Sequence, residues 1–361
     1  MGTPALRPSA TETFSTFEML PYWYIACKSE ELGGTPKRVV LWDTPLVLFR
    51  DKKGDPVALL DRCAHRNVPL SLGRCVEGKL ECGYHGWQFG SSGECLKIPA
   101  LAEPGEGARR KVPAFPVREQ QGYIWVYTDS ESEPNHSPYH FGKIEDPDYM
   151  TFRYEAEFEG SLFAVAENIL DVPHTSFLHR GLFRSEQTQE ISTEVRRFGD
   201  RAECEFFGES RPSGLFGRLL APGGGEVTHV DRFILPGVAQ VEYGLGDRGH
   251  LVITSALSPI SPFVTRMYTA AVVRKSPLFS VVRPVAGPVV RKIVEQDARM
   301  IRAQTAAVTE FGGEHFAFSR ADLLGPPILK LLKEATASPM ELYSGDVGEE
   351  PSYRSDGTLL T

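Results

Sequence analysis

The chain has no excess of basic residues: 39 Lys and Arg stand against 47 Asp and Glu, a formal charge of −8 over 361 residues. A nucleic-acid binder needs a basic face to neutralise phosphates, so that class is excluded. No apolar run reaches the ~20 residues that a membrane-crossing helix requires. The opening stretch MGTPALRPSATETFST lacks the basic-then-apolar order of an export signal. Leu6 stands where myristoylation needs Ser or Thr. The chain is therefore expected in a reducing cytoplasm, with residues 1–16 as a disordered tail. Cysteines are few: 27, 63, 75, 82, 95 and 204. In that compartment they serve as thiols or metal ligands rather than as disulfides. A nucleotide-binding fold is missing as well. GLGDRG (244–249) fits G-x-G-x-x-G, but strand-like sequence lies on both sides, so it reads as a hairpin turn instead of a strand-to-helix phosphate loop.

What is present falls into two parts. Residues 17–130 carry short apolar runs such as RVVLWDTPLVLFRD, PVALLD and GYIWVYTD, separated by Gly, Pro and Asp, and read as β-structure. Residues 131–150, rich in Pro, Ser and acids, read as a linker, with His136 and His140 as surface-loop residues. Residues 151–361 open with a helix, 161–183, interrupted at Pro173. Several strands follow, then a long amphipathic helix over 287–308; the last dozen residues read as frayed.

The stretch CAHRNVPLSLGRCVEGKLECGYHGW (63–87) is C-x-H, sixteen residues, then C-x-x-H. Structural zinc sites pair like ligands, typically C-x₂₋₄-C with H-x₃₋₅-H. Here each cluster mixes one thiolate with one imidazole, which suits two metals, one taking Cys63 and Cys82 and the other His65 and His85. A Rieske [2Fe–2S] centre is ligated that way, its neutral imidazoles raising the reduction potential above that of all-thiolate clusters. Nearby glycines permit tight loops, and Trp87 is expected to pack beneath them. Cys75 and Cys95 fit neither cluster and read as packing thiols. A zinc-ribbon variant or coincidental core residues remain the alternative.

A second constellation lies in ENILDVPHTSFLHR: Asn168, Asp171, His174 and His179. Steps of three shift a helix position by about 60°, so the first three share a side, whereas His174 and His179 differ by about 140°. A break at Pro173 would let both imidazoles meet. Two histidines and a carboxylate form the facial triad of non-haem Fe(II) oxygenases. In the long helix the apolar stripe runs Val289/Val290, Ile293/Val294 and Met300/Ile301, and Asp297 interrupts it. A carboxylate on a buried stripe is costly unless paired or bound to metal. Glu295, about 200° round, should face water. Core or surface histidines, and a hydrogen-bonded buried aspartate, remain open at this point. Leu162, Phe163, Val165, Phe177 and Leu178 read as core packing before pocket lining.

CAHRNVPLS-G followed by CGYHGWQFG-SGEC--IP resembles the Rieske domain of Rieske non-haem iron oxygenases. Rieske proteins of bc-type complexes carry an extra cysteine after each motif, where this chain has Arg66 and Gly86, and that branch is rejected. The helix with Asn168, Asp171, His174 and His179, and the later EQDARMIRAQ, resemble the catalytic domain of the same family. The resemblance spans roughly residues 20–310 in patches. It implies an α+β fold: an N-terminal β-rich Rieske [2Fe–2S] domain, then a helix-grip (START-like) domain with an antiparallel sheet. It further implies a cluster on Cys63, His65, Cys82 and His85, and a mononuclear Fe(II) on His174, His179 and Asp297. Asp171 would link the Rieske histidine of one subunit to the iron-binding histidine of its neighbour in a homotrimer, with Asn168 beside the iron. NAD(P)H would act through a separate reductase, with or without a ferredoxin. O2 would hydroxylate or oxidatively demethylate an aromatic or polycyclic apolar substrate. The alternative is a Rieske electron-transfer protein without oxygenase activity of its own.

Overall fold

Trp42 and Asp43 both adopt positive φ (49° and 59°), which folds RVVLWDTPLVLFR into a tight hairpin with a two-residue type I′ turn rather than one run. In the computed structural model, residues 20–101, 110–179, 190–209, 226–246, 249–275, 279–337 and 350–360 are described. The expected tail at 1–16 lies outside them. The chain divides into two units, with the boundary between His140 and Phe141, inside the segment 131–150.

The first unit is built from short antiparallel strands. β1 (Trp23–Lys28), β10 (Val117–Gln120) and β11 (Tyr123–Tyr127) form one sheet in the order β1-β11-β10. A second joins β2 (Lys37–Leu41), β3 (Thr44–Arg50), β4 (Pro56–Leu60) and β9 (Ala114–Phe115). A third joins β5 (Arg74–Val76), β6 (Lys79–Glu81), β7 (Gln88–Phe89) and β8 (Cys95–Lys97). One core holds Val47, Phe49, Leu59, Leu80 and Phe89 together with Cys63, Cys82, Trp87 and Cys95, and Cys75 packs against it. The apolar strand residues therefore build the floor under the two metal-type motifs. Residues 131–140 belong to this unit: the Trp23 indole N–H donates to the His136 carbonyl (2.9 Å), and Gln120 donates to the Tyr139 carbonyl (3.0 Å). His136 is half-buried and His140 exposed.

The second unit is an eight-stranded antiparallel sheet in the order β12-β18-β17-β16-β15-β14-β13-β19. Its strands are β12 (Tyr149–Phe158), β13 (Glu190–Arg197), β14 (Arg201–Phe207), β15 (Val227–Ile234), β16 (Val238–Leu245), β17 (Gly249–Ser261), β18 (Val264–Arg274) and β19 (Tyr353–Leu360). Helix α1 (Leu162–Leu170) lies against β15 to β18. The short α2 (His174–Leu178) follows after a three-residue break. Helix α3 (Phe279–Phe311) contacts β12, and α4 (Gly325–Ala337) contacts β14. The glycine-rich stretch at 244–249 joins β16 to β17, a hairpin connection as expected. Among the described residues no helix is long and apolar enough to cross a membrane.

Three expectations need correction. The last residues are not frayed: β19 pairs with all of β13, from Glu190 opposite Leu360 to Arg197 opposite Tyr353. It shows no alternating pattern because it is an edge strand in which Leu359 is buried and most other side chains face solvent; Arg354 instead ties it to Glu194 at 2.6 Å. Helix α3 begins eight residues before Gly287 and runs through Pro284 and Pro288, each of which removes one i→i−4 bond without ending the helix. Its buried stripe is also narrower than the sequence suggests, since Val290 and Met300 are 42% and 49% exposed.

Candidate functional site

In the first unit, two loops of the same design face each other. The Cys63 N–H donates to the Val68 carbonyl (2.9 Å) and the Asn67 N–H returns to the Cys63 carbonyl (3.0 Å). The Cys82 N–H donates to the Trp87 carbonyl (2.8 Å) and the Gly86 N–H returns to the Cys82 carbonyl (3.0 Å). Each loop turns through a left-handed residue four positions after its cysteine, Asn67 (φ 62°) and Gly86 (φ 68°). The first loop, between β4 and β5, is anchored by buried Asp61, which accepts the Ser71 N–H and hydroxyl (both 2.7 Å) and pairs with Arg38. The second lies between β6 and β7.

Four predicted side chains meet at this point. Cys63 and Cys82 are buried side by side, and burial followed by the neighbouring thiol pushes Cys63 up to about 11. The His65 and His85 ring centroids are 4.6 Å apart. Trp87 stacks on His65, as the expected support beneath the loops. The Nδ1 of His65 is buried without a hydrogen-bond partner. A buried, unsatisfied imidazole nitrogen beside two buried thiols fits a metal–sulfur group, which would draw the thiols into the thiolate state and use the free lone pair.

In the second unit, Ser161 caps α1 by accepting the Ala164 N–H (3.1 Å). The helix stops at Asp171 because Pro173 restricts the residue before it and lacks an N–H of its own. The chain restarts as α2, with His174 at its first position and His179 at its C-cap. That break defeats the 140° separation expected in a continuous helix. The imidazole nitrogens of His174 and His179 and a carboxylate oxygen of Asp297 lie within 4.8 Å of one another.

Asp297 Oδ1 is 3.1 Å from His179 Nε2 and 3.6 Å from His174 Nε2, yet it is buried with no hydrogen-bond partner. The three groups thus aim at a common point rather than at one another. Burial raises the Asp297 carboxyl, while His179, His174 and an Asn168 hydrogen bond oppose the rise. Burial alone would lower His174, but the Asp171 and Asp297 carboxylates outweigh it and raise it. Two imidazoles and one carboxylate, partly desolvated and with one orphaned oxygen, fit a divalent metal with open positions.

The remaining predicted residues surround this set. Asp171 accepts the His174 backbone N–H (3.2 Å), and His174 Nδ1 lies 3.4 Å from the Asp171 carboxylate and close to its main-chain carbonyl. Glu295 is exposed, as expected. Leu162, Phe163 and Val165 are buried core, whereas Phe177 is 73% exposed, so the core reading fails for it: a five-residue helix cannot bury all its sides.

Two residues were missed by sequence reasoning. Gln296 Oε1 lies 3.0 Å from His179 Nδ1. Its signal was its place three residues after Ile293, on the flank of the buried stripe. Glu167, next to Asn168, is pushed up to about 7 by burial and then by Asp171 and Asp322, with which it lines a small cavity.

Comparison with known proteins bears on both units. Residues 22–116 match the Rieske [2Fe-2S] domain family, and residues 159–327 match the vanillate O-demethylase oxygenase C-terminal domain. The oxygenase component of dicamba O-demethylase from Stenotrophomonas maltophilia is 35% identical over 48% of this chain, an alignment spanning 51% of that relative's length. The oxygenase component of chloroacetanilide N-alkylformylase from Rhizorhabdus wittichii is 31% identical over 81% of this chain and 82% of its own. The crystal structure of dicamba monooxygenase bound to dicamba superposes with a TM-score of 0.72 at 24% identity, over 90% of this chain and 98% of that one, which establishes a shared fold.

Proposed function

The chain belongs to the Rieske non-haem iron oxygenase family, and from that premise we propose that it is the terminal oxygenase of a multicomponent system. It takes electrons from an NAD(P)H-dependent reductase, directly or through a ferredoxin, and uses O2 to hydroxylate or oxidatively demethylate an aromatic or polycyclic apolar molecule. The names of the two relatives, an O-demethylase and an N-alkylformylase, favour removal of an alkyl-type substituent. The observation that carries this reading is the convergence of His174, His179 and Asp297 in a fold unit separate from the cysteine–histidine loops. An electron carrier would have no use for that second set.

Cys63, His65, Cys82 and His85 would hold the [2Fe–2S] cluster, and His174, His179 and Asp297 the mononuclear iron. When bound, the cluster supplies single electrons and the iron supplies open positions for O2 and substrate. The chain's own residues set the geometry. Asp171 orients His174 through its Nδ1 side, and Asn168 holds the Asp297 carboxylate. In a homotrimer, Asp171 would also receive the Rieske histidine of a neighbouring subunit and so join the two centres. A cytoplasmic location belongs to the same proposal, supported by six free cysteines.

The overall change is RH + O2 + 2 electrons + 2 protons to ROH + water, with the reductase as electron source. The test is turnover of the reconstituted protein with a surrogate reductase and 18O2 across an aromatic and polycyclic panel. Substrate-dependent O2 uptake with one 18O in the product, or in the aldehyde it releases, supports the reading. A cluster that is reduced and reoxidised with no substrate-dependent O2 uptake would establish the electron carrier instead.

A further inference from the structure

A neutral imidazole offers only one lone pair, so a histidine can ligate a metal through Nε2 only if Nδ1 carries the proton. His174 has acceptors for that proton in the Asp171 carboxylate and main-chain carbonyl. His179 is 2% exposed and turns Nε2 toward Asp297, so its Nδ1 proton needs an acceptor inside the protein. Gln296 Oε1 stands 3.0 Å from that nitrogen.

We propose that Gln296 is a positioning residue that fixes His179 as the Nδ1–H tautomer and thereby presents the Nε2 lone pair to the iron. This rests on the reading of His174, His179 and Asp297 as the iron site. Consecutive residues on a helix diverge by about 100°. Gln296 and Asp297, adjacent on α3, therefore reach the two nitrogens of one ring, at 3.0 Å and 3.1 Å. Gln296 fixes the Nδ1 side of the ring, and Nε2 is left facing the point toward which the Asp297 oxygen also turns.

An amide suits this place better than a carboxylate. Asp171 and Asp297 already supply two negative charges around the three-ligand set, enough to balance a divalent ion. A carboxylate at 296 would add a third beside Asp297 in a half-buried environment, where like charges are costly. The amide carbonyl accepts the proton without adding charge. Of the EQD triplet, Glu295 faces solvent, Gln296 sets the tautomer and Asp297 supplies the ligand oxygen.

The test uses the full-length protein with its cluster in place. Fe(II) affinity is measured by competition with a chromophoric chelator, and the His179 tautomer by 15N shifts of metal-free, histidine-labelled protein. Gln296→Met keeps length but removes the acceptor; Gln296→Glu keeps an acceptor oxygen. The wild type is expected to show Nδ1–H at His179. Gln296→Met should weaken Fe(II) binding by about 10–100-fold with a mixed tautomer and an unchanged cluster spectrum. Gln296→Glu should retain the wild-type tautomer. An Nε2–H tautomer in the wild type would mean that the amide donates to the ring, and would overturn the proposal. So would wild-type Fe(II) affinity and tautomer in Gln296→Met. If Gln296→Met does not fold, the wild-type and Gln296→Glu tautomers still decide. Failure of the wild type to take up a mononuclear iron would instead sink the iron-site reading, whatever the tautomer.

Discussion

His65 lies flat against Trp87: the ring centroids are 4.5 Å apart and the planes are 4° from parallel. The Arg110 guanidinium is 5.5 Å from the same indole centroid. Burial lowers the basicity of His65, and His85, Arg66 and Arg110 lower it further. With His65 as a proposed cluster ligand, a nearby cation favours the state with one more electron. Arg110→Gln should therefore lower the cluster's reduction potential, and Arg110→Lys should preserve most of it. An EPR-monitored redox titration checks this; equal potentials for wild type and Arg110→Gln would refute it.

Asp171 touches His174 from the side away from Asp297, so in the proposed iron site it would orient His174 without itself holding the metal. Asp171→Asn keeps an oxygen for the His174 backbone N–H but loses the charge. Both centres should stay loaded, while electron delivery to the mononuclear site slows by about tenfold or more. Stopped-flow reoxidation of the cluster in a single turnover measures the rate. Loss of the mononuclear iron in this variant would contradict the relay role.

The buried His229 should give the protein's stability an alkaline limit. Its Nδ1 is 2.9 Å from Glu209 and its Nε2 is 2.9 Å from Asp231, while Phe206 and Tyr243 stack on it at 4.3 Å and 4.0 Å. Burial lowers its pKa, but the two carboxylates outweigh that and bring it up to about 9. A folded-state value above the unfolded ~6.5 means stability that is complete below ~6.5 and lost as pH rises through about 9. The melting temperature should fall between pH 6.5 and 9 in the wild type, and less steeply in His229→Gln. Parallel pH curves for the two proteins would show that His229 does not carry the effect.

Gly160 precedes the α1 cap, and a Cβ there would sit 2.2 Å from the Ile301 Cγ2, one turn of α3 beyond Asp297. Ile301 is buried and β-branched, with little freedom to move aside. Gly160→Ala should cost about 1–3 kcal/mol of stability by overpacking and weaken iron retention by shifting α3. Chemical denaturation and iron analysis would check both. A wild-type denaturation midpoint would show that the helix yields freely.

Much of what the site brings together was legible because most of its residues are near one another in sequence. Cys63 and His65, and Cys82 and His85, belong to loops whose geometry is set within five residues, so spacing alone encodes them. Pro173 announced the break that joins His174 to His179. Asp297 showed itself as a charge on an apolar stripe. Gln296 and His229 did not, because their roles depend on which side chain arrives from a distant element. Strand β19 was hidden for a related reason: an edge strand with mostly solvent-facing side chains carries no burial pattern, and its partner β13 lies far away in sequence. Phe177, Val290 and Met300 misled the reading because apolar type alone does not fix which way a helix faces.

The most direct measurement is iron and acid-labile sulfide per chain in reconstituted wild type and in Asp297→Ala, with the EPR spectrum of each reduced protein. Two unlike centres predict about three irons and about two sulfides in the wild type, falling to about two irons with unchanged sulfide and an unchanged mixed thiolate–imidazole signal in the variant. A wild type without labile sulfide, or the same iron content in both proteins, would contradict the account.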